Sequence, residues 1–303
     1  MYNNLKKEYL HMNEPKKHRY NRVDGYYLAD MDSFHKYFAH MNPDRIGCEV
    51  CMLSSLDVTK LLEYLKKKNE ELDIHVTLFH AILTAVAKMI YNRPKMNRFV
   101  ANRRYYQRKE VILSFVAKKK FTDNAEEALM MLKPKEDWTF ENIARKVVGE
   151  VKEAKREGNE QYGADAALDV VAKFPRWLMK MVMGVFRILD RNGWFPKSFM
   201  EVDPNYSTVL LSNLGSIKCD AVYHHLSNFG TNSIVLTIGT IHKEERLMDD
   251  GSKQLRDIVN FGITIDERIG DGFYFAKCMK LIQYILDNPQ SLDDPVGTII
   301  DYE

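Results

Sequence analysis

The sequence predicts an α/β fold, a mixed sheet with packed helices, on three observations. Its last third holds runs of branched apolar residues suited to buried strands. The preceding two thirds hold long segments with helical apolar spacing. A chain of 303 residues with 45% hydrophobic side chains can bury a full core without metal or disulfide staples. With no internal repeat or low-complexity linker to divide it, the expectation is one domain over 23–303. A polar arm precedes it at 1–22, and a helical insertion interrupts it at about 160–200.

Each element follows from a local pattern. Residues 26–41 carry aromatics at helical spacing (Phe34, Tyr37, Phe38, Met41), predicting a short helix docked on the body, and 48–56 read as a strand. Asp57-Val58-Thr59 then opens a helix over 60–69, with Leu61, Leu62 and Leu65 on one stripe. The strongest helix spans 75–92, where Leu78, Phe79, Ile82, Leu83, Val86, Met89 and Ile90 keep the helical rhythm until Pro94 follows. Residues 97–100 and 111–118 predict strands around the basic turn Ala101-Asn102-Arg103-Arg104, and 138–157 a second long helix. A third helical region covers 165–192 with a break at Pro175, because proline lacks a backbone donor and clashes with the preceding turn. Strands follow at 208–211 and 233–241. Another follows where Val259, Phe261, Ile263 and Ile265 alternate with polar or small residues, and the closing helix over 273–287 stops at Asn288-Pro289.

Charge and cysteine content narrow the function classes. The 44 Lys and Arg against 42 Asp and Glu leave a formal charge of +2, which gives no global electrostatic case for a nucleic-acid partner. The basic cluster Lys6, Lys7, Lys16, Lys17, His18, Arg19 and Arg22 fits a solvated arm. Four cysteines make no disulfide framework and no early apolar stretch looks like a signal peptide, so a cytoplasmic setting is expected. Cys48 and Cys51 have the spacing of a redox or zinc pair, but on a strand they would face opposite sides. The apolar tract 177–189, broken only by Lys180 and Arg187, is too short to span a bilayer, for which about 20 apolar residues are needed. It suits a partly buried insertion helix, a pocket cap, or a helix lying on a membrane surface. No Gly-x-Gly-x-x-Gly, phosphate-binding Gly-rich loop or His-Glu-x-x-His occurs, so no nucleotide cofactor or metal is predicted.

Two stretches carry a resemblance to a known family. Ser212-Asn213-Leu214-Gly215, after Val209-Leu210-Leu211, resembles the Ser-Asn-Leu-Gly strand end of dihydrolipoyl acyltransferase catalytic domains. Asp266-Glu267-Arg268-Ile269-Gly270-Asp271-Gly272 is similar to their Asp-His-Arg-x-x-Asp-Gly motif, and Leu286-Asp287-Asn288-Pro289 follows as it does there. Phe34-His35-Lys36-Tyr37-Phe38 resembles the start of chloramphenicol acetyltransferase, and Pro94-Lys95-Met96-Asn97-Arg98-Phe99 fits both groups. Ahead of this region the sequence shows no lipoyl or peripheral-subunit-binding domain, so a standard core subunit of an oxo-acid dehydrogenase complex is not expected.

The resemblance implies a two-layer sandwich of the chloramphenicol-acetyltransferase type and a homotrimer with its pocket between subunits. It also implies transfer of an acyl group from a coenzyme A thioester to a small hydroxyl, amine or thiol acceptor, with no metal. In that family a histidine takes the acceptor's proton and a serine supports the oxyanion. Ser212 matches the serine. Asp271 matches an aspartate that braces the loop through an ion pair, and Asp266, Arg268, Gly272, Asn213 and Gly215 match structural positions. Arg103, Arg104, Lys118, Lys119 and Lys120 could meet a coenzyme A phosphate or simply be a solvated strand end.

At the histidine position stands Glu267. Three readings compete. Glu267 is the base, since burial at a subunit interface raises a carboxyl pKa from its usual value of about 4.3; or it is a structural acid paired with an arginine in a site that no longer turns over; or the base has moved to His224 or His225. Adjacent residues of an extended chain face opposite sides, so only one of these histidines could enter a pocket, and His75 and His80 are weaker candidates. The arginine expected to pair with Asp271 is replaced by Asp30 in a loose alignment, which leaves Arg22 or Arg268 to substitute.

Overall fold

A computed structural model describes residues 18–118, 127–154, 174–248 and 250–302. Chain order runs β1 (Gly25–Tyr27), α1 (Ser33–Met41), β2 (Glu49–Asp57), α2 (Thr59–Glu71), α3 (Leu78–Asn92), β3 (Arg98–Ala101), β4 (Arg104–Arg108), β5 (Leu113–Lys118) and β6 (Glu127–Leu132). It continues through α4 (Phe140–Ala154), α5 (Arg176–Asn192), α6 (Lys197–Met200), β7 (Val209–Asn213), β8 (Ile234–Ile238), β9 (His242–Leu247), β10 (Lys253–Asp266) and α7 (Gly272–Asp287). Most of the expected arm, residues 1–17, the end of the helix expected over 138–157, and residues 160–173 of the expected insertion lie outside the described residues.

Strands β2-β10-β8-β7-β5-β6 form a seven-stranded mixed sheet with β9 attached to β10. β7 runs parallel to both β5 and β8, and the other pairings are antiparallel. One face of this sheet packs on α2, α3, α4 and α7. Odd-numbered β10 residues Val259, Phe261, Ile263 and Ile265 meet Leu61, Ile82, Val86, Ile143, Leu281 and Ile285 in the same core, as the period-2 and period-3.6 patterns require. The result is the mixed sheet with packed helices that the sequence predicts.

α3 is buried on nearly all sides, including Lys88, which is 0% exposed. Its ammonium donates to the carbonyls of Ser291, Asp294 and Pro295 at 2.6, 3.2 and 3.1 Å, so the cation ties the C-terminal turn to the core helix. The N-terminus of α3 is closed by a capping box: the Thr77 backbone N–H donates to His80 Nδ1 at 3.0 Å. Burial of the ring lowers the His80 pKa from 6.5 to about 4, with the nearby His75 adding to the effect.

Several expectations need revision. Residues 26–41 divide into strand β1 and helix α1, whose Phe34, Tyr37 and Met41 are 68%, 62% and 60% exposed; α1 docks through Ala39 against Val100 and Tyr105 instead. The basic turn after residue 101 joins β3 to a separate strand, β4, in a second sheet ordered β1-β4-β3. Cys48 ends a 3-10 turn just before β2 and is not on the strand as expected; it is buried while Cys51, on β2, is exposed. α5 starts directly after Pro175, which accepts no helical role beyond its N-cap position.

Candidate active site

The second face of the sheet is where the motif residues gather. β10 positions Gly262, Thr264 and Asp266 on it, β8 adds Thr237, and β7 adds Ser212, which is in register with Thr237. The loop over 219–226 crosses this face without forming a strand. Thr237 Oγ1 accepts from Val222 N–H at 3.2 Å and donates to the Val222 carbonyl. That approach needs Gly262 and Gly239: a Cβ on the first would strike the Val222 carbonyl and one on the second the Asp220 side chain. Gly215 has the same kind of role, since a Cβ there would strike the Gly239 carbonyl. The last residue of Ser-Asn-Leu-Gly is therefore fixed by backbone packing, with Asn213 ending β7 ahead of it.

The second motif begins as β10 ends. Asp266 is 0% exposed and its carboxylate accepts two bonds from Arg268, Nε at 2.8 Å and Nη2 at 2.7 Å. Arg268 Nη1 donates to the carbonyls of Asn42 and Pro43 at 2.9 and 3.2 Å, tying the loop after α1 to the strand end. Arg45, which the sequence did not single out, approaches Asp266 Oδ2 with Nε at 3.7 Å while its Nη atoms donate to the carbonyls of Ser227, Val100 and Gly230. Burial pushes the Arg45 pKa down against the pull of Asp266, whereas for Arg268 burial is outweighed by the hydrogen bonds and charge of Asp266 acting together with nearby groups, and its pKa is raised. Nothing local marks Arg45. Its partners lie far away in sequence.

Asp271 caps α7, accepting from Tyr274 N–H at 2.8 Å, and Gly272 opens the helix. The expected ion pair of Asp271 is not formed among the described residues. Arg22 pairs with Asp24 and Asp190 and Arg268 with Asp266, so neither substitutes. Glu267 occupies the short 3-10 turn between these anchors, exposed and without an ion pair among the described residues. The arginine clamp required of a structural acid is thus absent from the described residues of the single chain.

His224 and His225 are both exposed, with Nδ1 atoms 3.2 and 3.0 Å from the carbonyls of His225 and Leu226. They do not part to opposite sides, because the loop is not an extended strand: their ring centroids lie 5.0 Å apart. Leu226 N–H donates to Glu49, which pairs with Asp266, so both histidines lie toward the Glu267 end of the sheet. His80 is committed to its cap. The basic cluster suggested for a phosphate is divided: Arg103 and Arg104 turn within the small sheet, Lys118 ends β5 in the large one, and Lys119 and Lys120 lie outside the described residues.

Register decides how far Ser212 is from Glu267. Ser212 pairs with Thr237 and Thr237 with Gly262, five residues before Glu267. At about 3.3 Å per residue along the strand and about 4.8 Å per strand across, the two residues of one chain are about 19 Å apart. Two cavities of the chain, of about 510 and 470 Å³, are lined by neither residue. Among the described residues no group of His, Cys, Asp and Glu could hold a metal ion, and no helix is long and apolar enough to cross a membrane.

Residues 198–293 match the family model for the 2-oxoacid dehydrogenases acyltransferase catalytic domain. A probable dihydrolipoamide acetyltransferase from Listeria monocytogenes 4b F2365 is 17% identical with a TM-score of 0.56, covering 86% of this chain and 94% of its own. The dihydrolipoamide acetyltransferase of Azotobacter vinelandii is 15% identical with a TM-score of 0.59, covering 86% of this chain and 88% of its own. A chloramphenicol acetyltransferase is 13% identical with a TM-score of 0.51, covering 86% and 99% respectively. This chain has their fold. No curated protein matches it in sequence. Both motifs, Ser212 to Gly215 and Asp266 to Gly272, fall inside the stretch matched by the acyltransferase model.

Proposed function

We propose that the protein is a homotrimeric acyltransferase that uses a coenzyme A thioester, with a pocket completed by Ser212 of one subunit and Glu267 of the next. The observation that carries this reading is the separation of about 19 Å between them in one chain, on the sheet face that the loop over 219–226 crosses, where neither side chain has a partner among the described residues. A symmetric ring of heterologous contacts brings one end of such a face against the other end of a neighbour. Four unpaired cysteines suit a reducing, cytoplasmic setting.

In this arrangement the Glu267 carboxylate accepts the proton of a small hydroxyl, amine or thiol acceptor as that atom attacks the thioester carbonyl. The new bond pushes the carbonyl electrons onto oxygen, and the Ser212 hydroxyl donates a hydrogen bond to the oxyanion. Collapse expels the coenzyme A thiolate, which takes the proton back from Glu267. A solvated carboxylate is a weak base for an alcohol, so the neighbour's second contribution is to exclude water from the pocket.

Thiol release from a panel of acyl-CoAs tests the reading without assuming an acceptor. Wild type should show slow hydrolysis, and Ser212→Ala should lower it by about 100-fold or more. Substitution of glutamate for the family histidine, together with an Asp271 that caps a helix instead of forming an ion pair, favours one alternative: a catalytically inactive trimer that serves as a scaffold or binds acyl-CoA. Acyl-CoA binding with no thiol release in wild type would select it.

A further inference from the structure

We infer that α5 is a docking face for an anionic lipid surface. This inference does not depend on acyl transfer. α5 is held to the body through Asp190, its only acid, which is 5% exposed and accepts from the Tyr206 hydroxyl at 2.8 Å, Gly230 N–H at 3.2 Å and Arg22. Phe186 and Leu189 pack beside it against Phe195, Met200 and Tyr206. The helix is therefore fixed in orientation, and what it leaves exposed is a rigid surface.

That surface has two stripes. At about 100° per residue, Trp177, Met181, Val185 and Ile188 fall within an arc of about 80° on the side away from Phe186, and all four are exposed, Trp177 by 69%. Trp194, also 69% exposed, and Phe199 extend the apolar area past the helix end. Along one flank Arg176, Lys180, Arg187 and Arg191 form a second row within about 60°, exposed and without ion pairs among the described residues. A contiguous large apolar stripe rimmed by cations, with tryptophan at each end, has the chemistry of a helix lying in the headgroup region. Charge decides the occupant. α5 exposes no acid, so two copies meeting face to face about a two-fold axis would oppose like-charged rows, whereas an anionic bilayer complements them.

The test uses the full chain and large vesicles, either phosphatidylcholine alone or with about one-third phosphatidylglycerol to make the surface negative. Co-sedimentation is expected with the anionic vesicles only, and to fall as salt is raised. Ile188→Glu and Met181→Glu should each abolish it, and Lys180→Ala with Arg187→Ala should weaken it by roughly 25-fold. Thermal denaturation and light scattering should be unchanged in all of these exposed-site variants. Absence of binding to anionic vesicles, equal binding to neutral ones, or retained binding by Ile188→Glu would overturn the inference. So would a change of molar mass in Ile188→Glu, since it would identify the stripe as a contact between copies.

Discussion

Chains carrying Ser212→Ala and chains carrying Glu267→Gln should each be inactive alone and regain activity when assembled together. Two strand spacings and five residues along the chain, from Gly262 past the end of β10 to Glu267, separate the two residues in one chain, about 19 Å, which is too far for one bound thioester carbonyl to touch both. In the proposed ring of three, each pocket would take its serine from one chain and its carboxylate from the next. Random assembly from equal amounts then leaves both groups intact in about one pocket in four, so about a quarter of wild-type activity should return. Loss of an oxyanion donor costs about 100- to 1000-fold, so a quarter of wild-type turnover would stand far above either parent. Co-expression with two different affinity tags, purification through both, and thiol release from acyl-CoA would supply the measurement. Dual-tagged rings of three hold the two chains two to one, so each retains one intact pocket in three, and the purified sample should show about a third of wild-type activity. Activity no higher than the mean of the two parents would refute the shared pocket, as would a monomer by sedimentation at micromolar concentration.

Three further outcomes follow from the buried polar groups. The His80 pKa is depressed from 6.5 to about 4, so the fold favours the neutral ring; this contribution is complete above pH 6.5 and lost as pH falls toward 4. It amounts to about 3 kcal/mol, and urea titrations of wild type and His80→Gln should differ across that window and run parallel above it. Arg268→Met leaves the Asp266 carboxylate buried without its bidentate partner and should cost about 3–5 kcal/mol, lowering Tm by roughly 6–10 °C in calorimetry. Lys88→Met strands three carbonyls of the C-terminal turn and should cost about 2–4 kcal/mol, with limited proteolysis at 291–302 as a local readout; an unchanged cleavage rate would contradict the tie.

What could be read in the sequence is what depends on short-range periodicity. The alternation along Val259 to Ile265 and the helical rhythm of Leu78 to Ile90 are imposed by one core, and the structure has both. β9 was missed because its side chains are largely exposed beyond the core and leave no apolar pattern. β4 was missed for the opposite reason. Its Arg108 is buried, with its Nη atoms donating to the carbonyls of Tyr206 and Thr231 about a hundred residues away, and a charged residue at a strand end looks like a turn. The outward aromatics of α1 show a further limit, since helical spacing reveals a stripe but not what it faces. At the site, the motifs could be located but their separation could not. It is set by the β7-β8-β10 register, a property of pairing between segments that lie far apart in the chain.

The structure divides the motif residues by the work they do inside one chain. Asp266 and Arg268 hold the strand end to the loop at Asn42 and Pro43, Asp271 caps α7, and Gly215 admits the Gly239 carbonyl. Each would be retained by folding alone, so their presence says little about catalysis. Ser212 and Glu267 differ. Neither side chain has a hydrogen-bond or ion-pair partner among the described residues, and neither lies in the main core. Neither side chain is tied into the fold, so both are free to act as the proposed function requires. The same division leaves position 267 free to vary: the turn is held from both sides by Asp266 and Asp271, so the exposed side chain between them can change without disturbing its anchors. Glu267→His should therefore leave Tm within about 1 °C of wild type, as expected for a surface substitution. Any change in thiol release would then report on proton transfer and not on the fold. A Tm loss as large as that of Arg268→Met would show that Glu267 has a structural role and remove the basis for assigning it to the pocket.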